Sequence, residues 1–208
     1  MDYQTEQEKF WAGSFGNDYN KRESGQDRLA WKTYLFASIL AKTHGVNSVI
    51  EFGANIGLNL AAIHRLLPTS KLNAIEINSE AVQELKKLDL TSVHEMSILE
   101  YAKEKQYDFV FSMGVLIHIN PEKLDDLYQR MYDASCKYLC VIEYYNPSPV
   151  SIKYRGNEER LFKRDFAGEI MDKFQNLKLV DYGFAYHRDN NFPLDDFNWF
   201  LMKKNQQL

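Results

Sequence analysis

The chain is poor in the features that define several protein classes. Only two of its 208 residues are cysteines. Cys136 and Cys140 have no accompanying ligand set, so neither a disulfide scaffold nor a structural zinc site is expected, and no metal is. Small buried thiols in a reducing compartment are the expectation, with the cytoplasm as location. No apolar run reaches the length of a membrane span. The start, Met1–Lys9, is polar and acidic and lacks a signal-peptide pattern. There is no excess of positive charge: 25 basic residues against 29 acidic ones give −4. No general affinity for nucleic acid or an anionic membrane surface follows. Repeats and low-complexity tracts are also absent. The composition is that of one ordinary globular domain, long enough to bury a sizeable core.

The informative stretch is Val49-Ile50-Glu51-Phe52-Gly53-Ala54-Asn55-Ile56-Gly57. A short apolar run meets an acid and then two glycines four apart. A helix-forming segment closed by Pro68 follows. This is strand, tight turn, helix, the opening of a nucleotide-binding α/β unit. The dinucleotide fingerprint is G-x-G-x-x-G with the helix N-terminus left free for a pyrophosphate. Here the spacing is G-x-x-x-G, and Glu51 precedes the first glycine. A carboxylate there repels phosphate and suits a cation. S-adenosylmethionine (SAM) carries an ammonium and a sulfonium and no phosphate. A second strand, Leu72–Ile77, contains Glu76 near its tip, 25 residues after Glu51, placed to accept hydrogen bonds from ribose hydroxyls.

Strands are expected at Ser48–Phe52, Leu72–Ile77, Ser92–Met96, Tyr107–Met113 and Tyr138–Tyr144. Two longer ones follow at Leu177–Tyr186 and Asn198–Lys204. Helices are expected at Asp27–Thr43, about Gly57–Leu67, Glu80–Leu88 with Ser79 as cap, Ile98–Lys105, Pro121–Ser135 with Asn120 as cap, and Asp165–Phe174. Residues 1–26 read as irregular, and Asn146–Lys163 as a Pro-, Tyr- and Arg-bearing connection. Alternating strands and helices predict a doubly wound, Rossmann-like α/β fold with a mostly parallel sheet. Only the loop Arg188–Asp196 joins the last two strands, which predicts a C-terminal antiparallel hairpin.

Over residues 45–145, Glu51–Gly57, Glu76 and Ser112–Ile119 resemble the class I SAM-dependent methyltransferases, whose sheet has seven strands. A narrower resemblance spans nearly the whole chain. Phe10–Tyr19, Gly114–Pro121, Glu143–Pro149, Tyr154-Arg155-Gly156, Leu161–Glu169 and Tyr186–Asp189 are similar to the methylases associated with pseudaminic acid biosynthesis. That resemblance implies methyl transfer to a small molecule, a nonulosonic acid derivative or a related acidic sugar nucleotide. Alternatives are another metabolite or a protein side chain as acceptor, or a SAM-binding partner of sugar enzymes that transfers nothing. The superfamily often has a third glycine where Asn55 stands; a Rossmann dehydrogenase would need a phosphate-friendly third glycine, which this chain lacks.

The expected cofactor residues lie at the carboxyl ends of the strands. Gly53, Ala54, Asn55 and Gly57 form the turn that meets the methionine part. Glu51 holds the ammonium, directly or through water. Glu76 takes the ribose, and Ile77 the adenine face. Ser97 and Ile98 meet the adenine edge, where the superfamily often has an acid. Met113 and Gly114 lie near the sulfonium. Residues 1–26 form an N-terminal lid with Trp11, Phe15, Tyr19 and Arg22 over the cofactor and Gly13 and Gly16 as hinges. Residues 27–208 form the single methyltransferase domain. His118 is the candidate base for a hydroxyl acceptor, with His187 and Glu143 as weaker ones. Tyr144, Tyr145, Asn146, Tyr154, Arg155, Arg160, Lys163 and Arg164 form the acceptor wall, aromatic and locally basic.

Overall fold

The structure, a computed structural model, describes residues 3–22 and 25–205. Residues 1, 2, 23 and 24 of the expected lid and residues 206–208 of the expected domain lie outside them. Among the described residues, seven strands form one sheet in the order β3-β2-β1-β4-β5-β9-β8. β1 (Ser48–Phe52), β2 (Lys71–Glu76), β3 (Ser92–Glu95), β4 (Tyr107–Met113) and β5 (Ser135–Glu143) run parallel. β9 (Phe197–Lys204) is antiparallel to both β5 and the edge strand β8 (Leu177–Ala185). This is the expected doubly wound, Rossmann-like sheet of seven strands with its C-terminal antiparallel hairpin.

The central strands are largely apolar because helices cover both faces, with buried polar side chains such as Glu51, Ser112 and Glu143 toward their carboxyl ends. Side chains alternate between two cores. On one face Val49, Phe109, Phe111 and Cys140 pack with Leu35, Phe36 and Ile39 of α3 (Gln26–Leu40) and Leu60 and Ile63 of α4 (Leu58–Leu66). On the other, Ile50, Val110, Leu139 and Val141 meet Leu127 and Met131 of α6 (Leu124–Ala134) and Ile170 of α7 (Phe166–Lys173). Strand order reverses between β1 and β4, so the connections leave in opposite directions and open a crevice at their carboxyl ends.

Four expectations are corrected. The N-terminal segment is helical: α1 (Glu6–Ala12) and α2 (Ser14–Arg22). Thr5 and Glu8 make a reciprocal capping box at the start of α1, a pattern present in the sequence as Thr5-x-x-Glu8. Residues 98–105 form no helix; Ile98, Leu99 and Tyr101 enter the core from irregular backbone. The connection 146–163 is a hairpin, β6 (Val150–Tyr154) and β7 (Asn157–Lys163), paired only with itself. Asn78, not Ser79, caps α5 (Ser79–Leu85), its side chain accepting from Ala81 N. Asn120 does cap, but over a 3-10 turn, Pro121–Lys123, ahead of α6.

Two glycines separate conformational strain from crowding. Gly57 and Gly156 both have left-handed φ, 85° and 87°. A Cβ on Gly57 would stand 2.5 Å from Leu88 Cδ1 and 2.8 Å from Leu85 Cδ2, whereas one on Gly156 would meet nothing within 4 Å. Gly156→Ala should cost about 1 kcal/mol from φ alone. Gly57→Ala should cost about 1–3 kcal/mol more from overpacking. Urea unfolding of the two variants checks this; equal losses would mean that the leucine pair gives way freely.

Candidate active site

The crevice is a cleft of about 1030 Å³ counted to its open mouth, the size range of cofactor sites. Its floor is the turn after β1. Gly53 has φ 82°, and a Cβ there would stand 2.6 Å from Val115 Cγ2. Gly53 N and Ala54 N both donate to Ile75 O at 3.0 Å, which ties the turn to β2. Asn55 adopts φ 48°. Its N–H donates to Glu76 Oε2 at 2.7 Å, and Asn78 N donates to Glu76 Oε1 at 2.7 Å. Glu76 therefore sits at the rim with both oxygens anchored and lone pairs to spare. Burial raises its carboxyl pKa against the pull of those N–H groups.

Glu51 does not border the cleft as expected; it is fully buried behind it. Its Oε1 accepts from Asn59 Nδ2 at 2.5 Å, and Asn59 Oδ1 accepts from Lys32 Nζ at 2.8 Å. Asn59 and Lys32 do border the cleft. Glu51 Oε2 is buried with no hydrogen-bond partner among the described residues. Desolvation pushes the Glu51 carboxyl well above the usual carboxylate range, against the Asn59 hydrogen bond and the Lys32 charge. Neither Lys32 nor Asn59 was foreseen. The available signal was a lysine three and four residues before Leu35 and Phe36, on the buried face of an apolar helix.

Of the other expected cofactor residues, Gly53, Ala54, Asn55, Glu76, Ile77, Ser97, Ile98, Met113 and Gly114 line the cleft. Gly57 does not; its lack of a side chain serves the α4–α5 packing instead. Ser97 donates its hydroxyl to Glu8 Oε1 and accepts from Leu99 N at 3.1 Å. Glu8 thus carries a carboxylate from α1 to the place where Ser97 alone was expected, and it too borders the cleft.

Trp11, Tyr19, Gln7 and Asn20 roof the cleft. Phe15 does not line it; it stacks on Phe10 at 4.1 Å and supports Trp11 edge-on. Gly16 is not a hinge. It is helical, and a Cβ there would stand 1.9 Å from Trp11 O and 2.9 Å from Asn78 Nδ2. It lets α2 dock on the β2–α5 turn, where Asn20 Nδ2 donates to Asn78 Oδ1 at 3.0 Å and Asn78 Nδ2 donates to Trp11 O at 3.1 Å.

His118 stands on a 3-10 turn, Leu116–His118, after β4. Glu143 holds that turn from within: its Oε1 accepts from Val115 N at 3.1 Å, Leu116 N at 3.0 Å and Ser112 Oγ at 3.2 Å. Glu143 is therefore an anchor and not an accessible base. His187 is exposed and paired with Asp196 at 2.8 Å, away from the cleft. The His118 Nδ1 lies 2.5 Å from Arg160 O. A carbonyl only accepts, so Nδ1 carries the proton and Nε2 keeps the lone pair. Burial lowers the imidazole pKa to about 4, although the Arg160 carbonyl pulls the other way. The ring is neutral at physiological pH.

A second cavity adjoins the first and shares Tyr19, Lys32, Met113, Gly114 and His118 with it. Of the expected acceptor wall, Tyr144, Tyr154 and Arg155 border this cavity. The other five residues do not. Tyr145 leans on Phe200, and the Asn146 side chain donates to Ser148 O. Arg160 lies over Phe10, Lys163 over Tyr144, and Arg164 pairs with Glu169 at 2.6 Å. Arg22, Arg28, Ile117, Leu194, Asp195 and Phe197 complete the lining.

No family model matches the sequence, and no curated protein matches it. Solved structures do match in shape. The fold is shared with methyltransferases. Magnesium protoporphyrin IX methyltransferase from Synechocystis, solved with bound SAM, superposes with a TM-score of 0.69 at 10% identity, over 99% of this chain and 100% of that one. The 1,6-didemethyltoxoflavin N1-methyltransferase of Burkholderia thailandensis, with S-adenosylhomocysteine, gives 0.70 at 12%, over 96% and 87%. The plantazolicin methyltransferase BpumL, also with S-adenosylhomocysteine, gives 0.65 at 13%, over 96% and 94%.

The raised Glu51 carboxyl has a stability consequence with a definite sign. The folded state holds this proton more tightly than the unfolded chain does. Stability is therefore fully present below the ordinary carboxylate pKa and falls as pH rises above it, by up to about 1.4 kcal/mol per unit. Glu51→Gln removes that share, so its urea midpoint should decline less between pH 5 and 8 than that of the wild type. Parallel curves would show that Glu51 folds already ionised.

Proposed function

We propose that the chain is a SAM-dependent methyltransferase acting on a small acidic acceptor, a nonulosonic acid derivative or related sugar nucleotide. The observation that carries the reading is the junction of two cavities at Gly114 and His118. One cavity is bordered by the carboxyl groups of Glu8 and Glu76; the other is basic and aromatic. The shared fold of methyltransferases solved with SAM or S-adenosylhomocysteine supports it.

The residues fit such a cofactor. Asn59, which borders the cleft and is oriented from behind by Glu51, offers its side-chain oxygen to an ammonium. The Lys32 ammonium suits the neighbouring carboxylate. Glu76, fixed by two N–H groups, suits two ribose hydroxyls. Ile77 and Ile98 offer apolar faces for a purine, and Glu8 an acceptor for its amino group. When bound, SAM supplies an electrophilic methyl group. The protein aligns the acceptor and excludes water, with Trp11 and Tyr19 as the roof. His118 Nε2 accepts a hydrogen bond from an acceptor hydroxyl and takes its proton as the oxygen loses electron density. The hydroxyl becomes strongly acidic at that stage, so an imidazole of low basicity suffices.

Glu76→Ala and Lys32→Met should each weaken SAM binding at least tenfold by calorimetry, with NADH as the negative control. Failure of the wild type to bind SAM would end this reading. With an acceptor found by screening nucleotide-activated acidic sugars, His118→Asn should lower kcat by about 10²–10⁴ with unchanged SAM affinity. The wild-type kcat profile should be flat from pH 6 to 8, because His118 ionises near 4. An inflection near 6.5 would assign the proton transfer to a different group.

A further inference from the structure

The second cavity has a charge opposite to that of the chain. Arg22, Arg28, Lys32 and Arg155 border it, with Asp195 as the one carboxylate among the described residues of its lining, in a chain of net charge −4. Two of these cations differ from the rest. Arg22 ends α2, and Arg155 sits at the tip of the β6–β7 turn; both are exposed. Neither has a carboxylate partner among the described residues. Their guanidinium groups lie on rings instead: Arg22 at 5.6 Å from Phe15 and 5.7 Å from Tyr19, Arg155 at 5.8 Å from Tyr154. A guanidinium held near a ring by cation–π attraction still has N–H groups to offer an anion. Phe15 and Tyr154 are themselves in contact, with centroids 6.0 Å apart, so α2 and the hairpin present the two arginines to one space.

The backbone at Arg155 is a second, independent observation. Tyr154 pairs with Asn157 across a two-residue turn in which Arg155 has φ 46° and Gly156 φ 87°. Two left-handed residues make the primed hairpin turn that favours Asn-Gly. Arginine is a poor choice there for the fold, since its Cβ disfavours left-handed backbone. A strained residue with its charge aimed at a cavity is the pattern of a functional position.

We propose that Arg22 and Arg155 form a two-guanidinium clamp for an oxyanion, carboxylate or phosphate, on the acceptor. This clamp, and not the run Arg160, Lys163 and Arg164 on and after β7, selects the substrate. The word acceptor rests on the methyl-transfer reading; the anion site rests on the arginines and the rings alone. Held by that clamp beside Tyr154, the acceptor lies against His118, whose ring is 4.9 Å from that of Tyr154.

The test is calorimetry on the full chain, with and without saturating S-adenosylhomocysteine. Inorganic pyrophosphate and N-acetylneuraminate are the phosphate and carboxylate probes, and N-acetylneuraminate methyl ester is the neutral one. At least one anion should bind, and the ester at least tenfold more weakly than its acid if the carboxylate arm is the one that binds. Arg22→Met and Arg155→Asn should each weaken anion binding at least tenfold, and Lys163→Met should leave it unchanged. Arg155→Asn should also keep or raise Tm, because asparagine suits the turn; a merely structural arginine would give no loss of binding there. Binding of neither anion, or equal binding in all variants, overturns the clamp. Absence of S-adenosylhomocysteine binding alone would overturn the methyl-transfer reading and leave the clamp standing, since anion binding is also measured without it.

Discussion

The Glu76 carboxylate is the point on which the cleft depends. It gathers the N–H groups of Asn55 and Asn78, one from the turn after β1 and one from the turn after β2. Asn55 can then keep its left-handed φ, which sends α4 away from the sheet. Asn78 is held with its side chain free to bond Trp11 O, Asn17 and Asn20. The floor, one wall and the roof thus meet at one buried acid. Two charge-assisted hydrogen bonds, each worth about 1.5–3 kcal/mol, oppose its desolvation.

The same device recurs at the ends of neighbouring strands. Glu51, Glu76 and Glu143 are all buried at the carboxyl ends of β1, β2 and β5. Glu143 meets several donors and freezes the turn that presents His118. Glu51 meets one and leaves an oxygen orphaned. A buried polar atom without a partner costs stability. Glu143 is therefore satisfied by the fold, whereas Glu51 keeps one oxygen without a partner among the described residues.

Much of this was legible in the sequence, for local reasons. The turn Gly53–Gly57, the acid at Glu76 and the apolar runs of β1 and β4 obey short-range rules, and the final hairpin follows from its short loop. Elements whose logic is long-range were not legible. Lys32 and Asn59 are 27 residues apart, and Glu8 and Ser97 are 89 apart. The hairpin β6–β7 was hidden because β6 is largely exposed and shows no alternation of burial. The basic run misled because charge in a sequence does not reveal direction: Arg164 turns to Glu169, and Arg160 contributes its carbonyl to His118. The capping box at Thr5 was readable by rule and was obscured by the aromatic, glycine-bearing stretch that follows.

The two cavities have opposite electrostatics, and their order matters on the proposed reading. A cationic methyl donor would lie over the acids of β1 and β2, and an anionic acceptor among the arginines of α2 and the hairpin. The two reactants then attract across the junction. A charged group at the junction would spoil this. A protonated imidazole would repel the sulfonium, and a carboxylate would compete with the acceptor. His118 avoids both. Its burial against Trp11 and Tyr154 keeps it neutral, and the Arg160 carbonyl fixes which nitrogen is free. The low pKa that makes it a weak base is the same property that lets it stand between two charges without disturbing either.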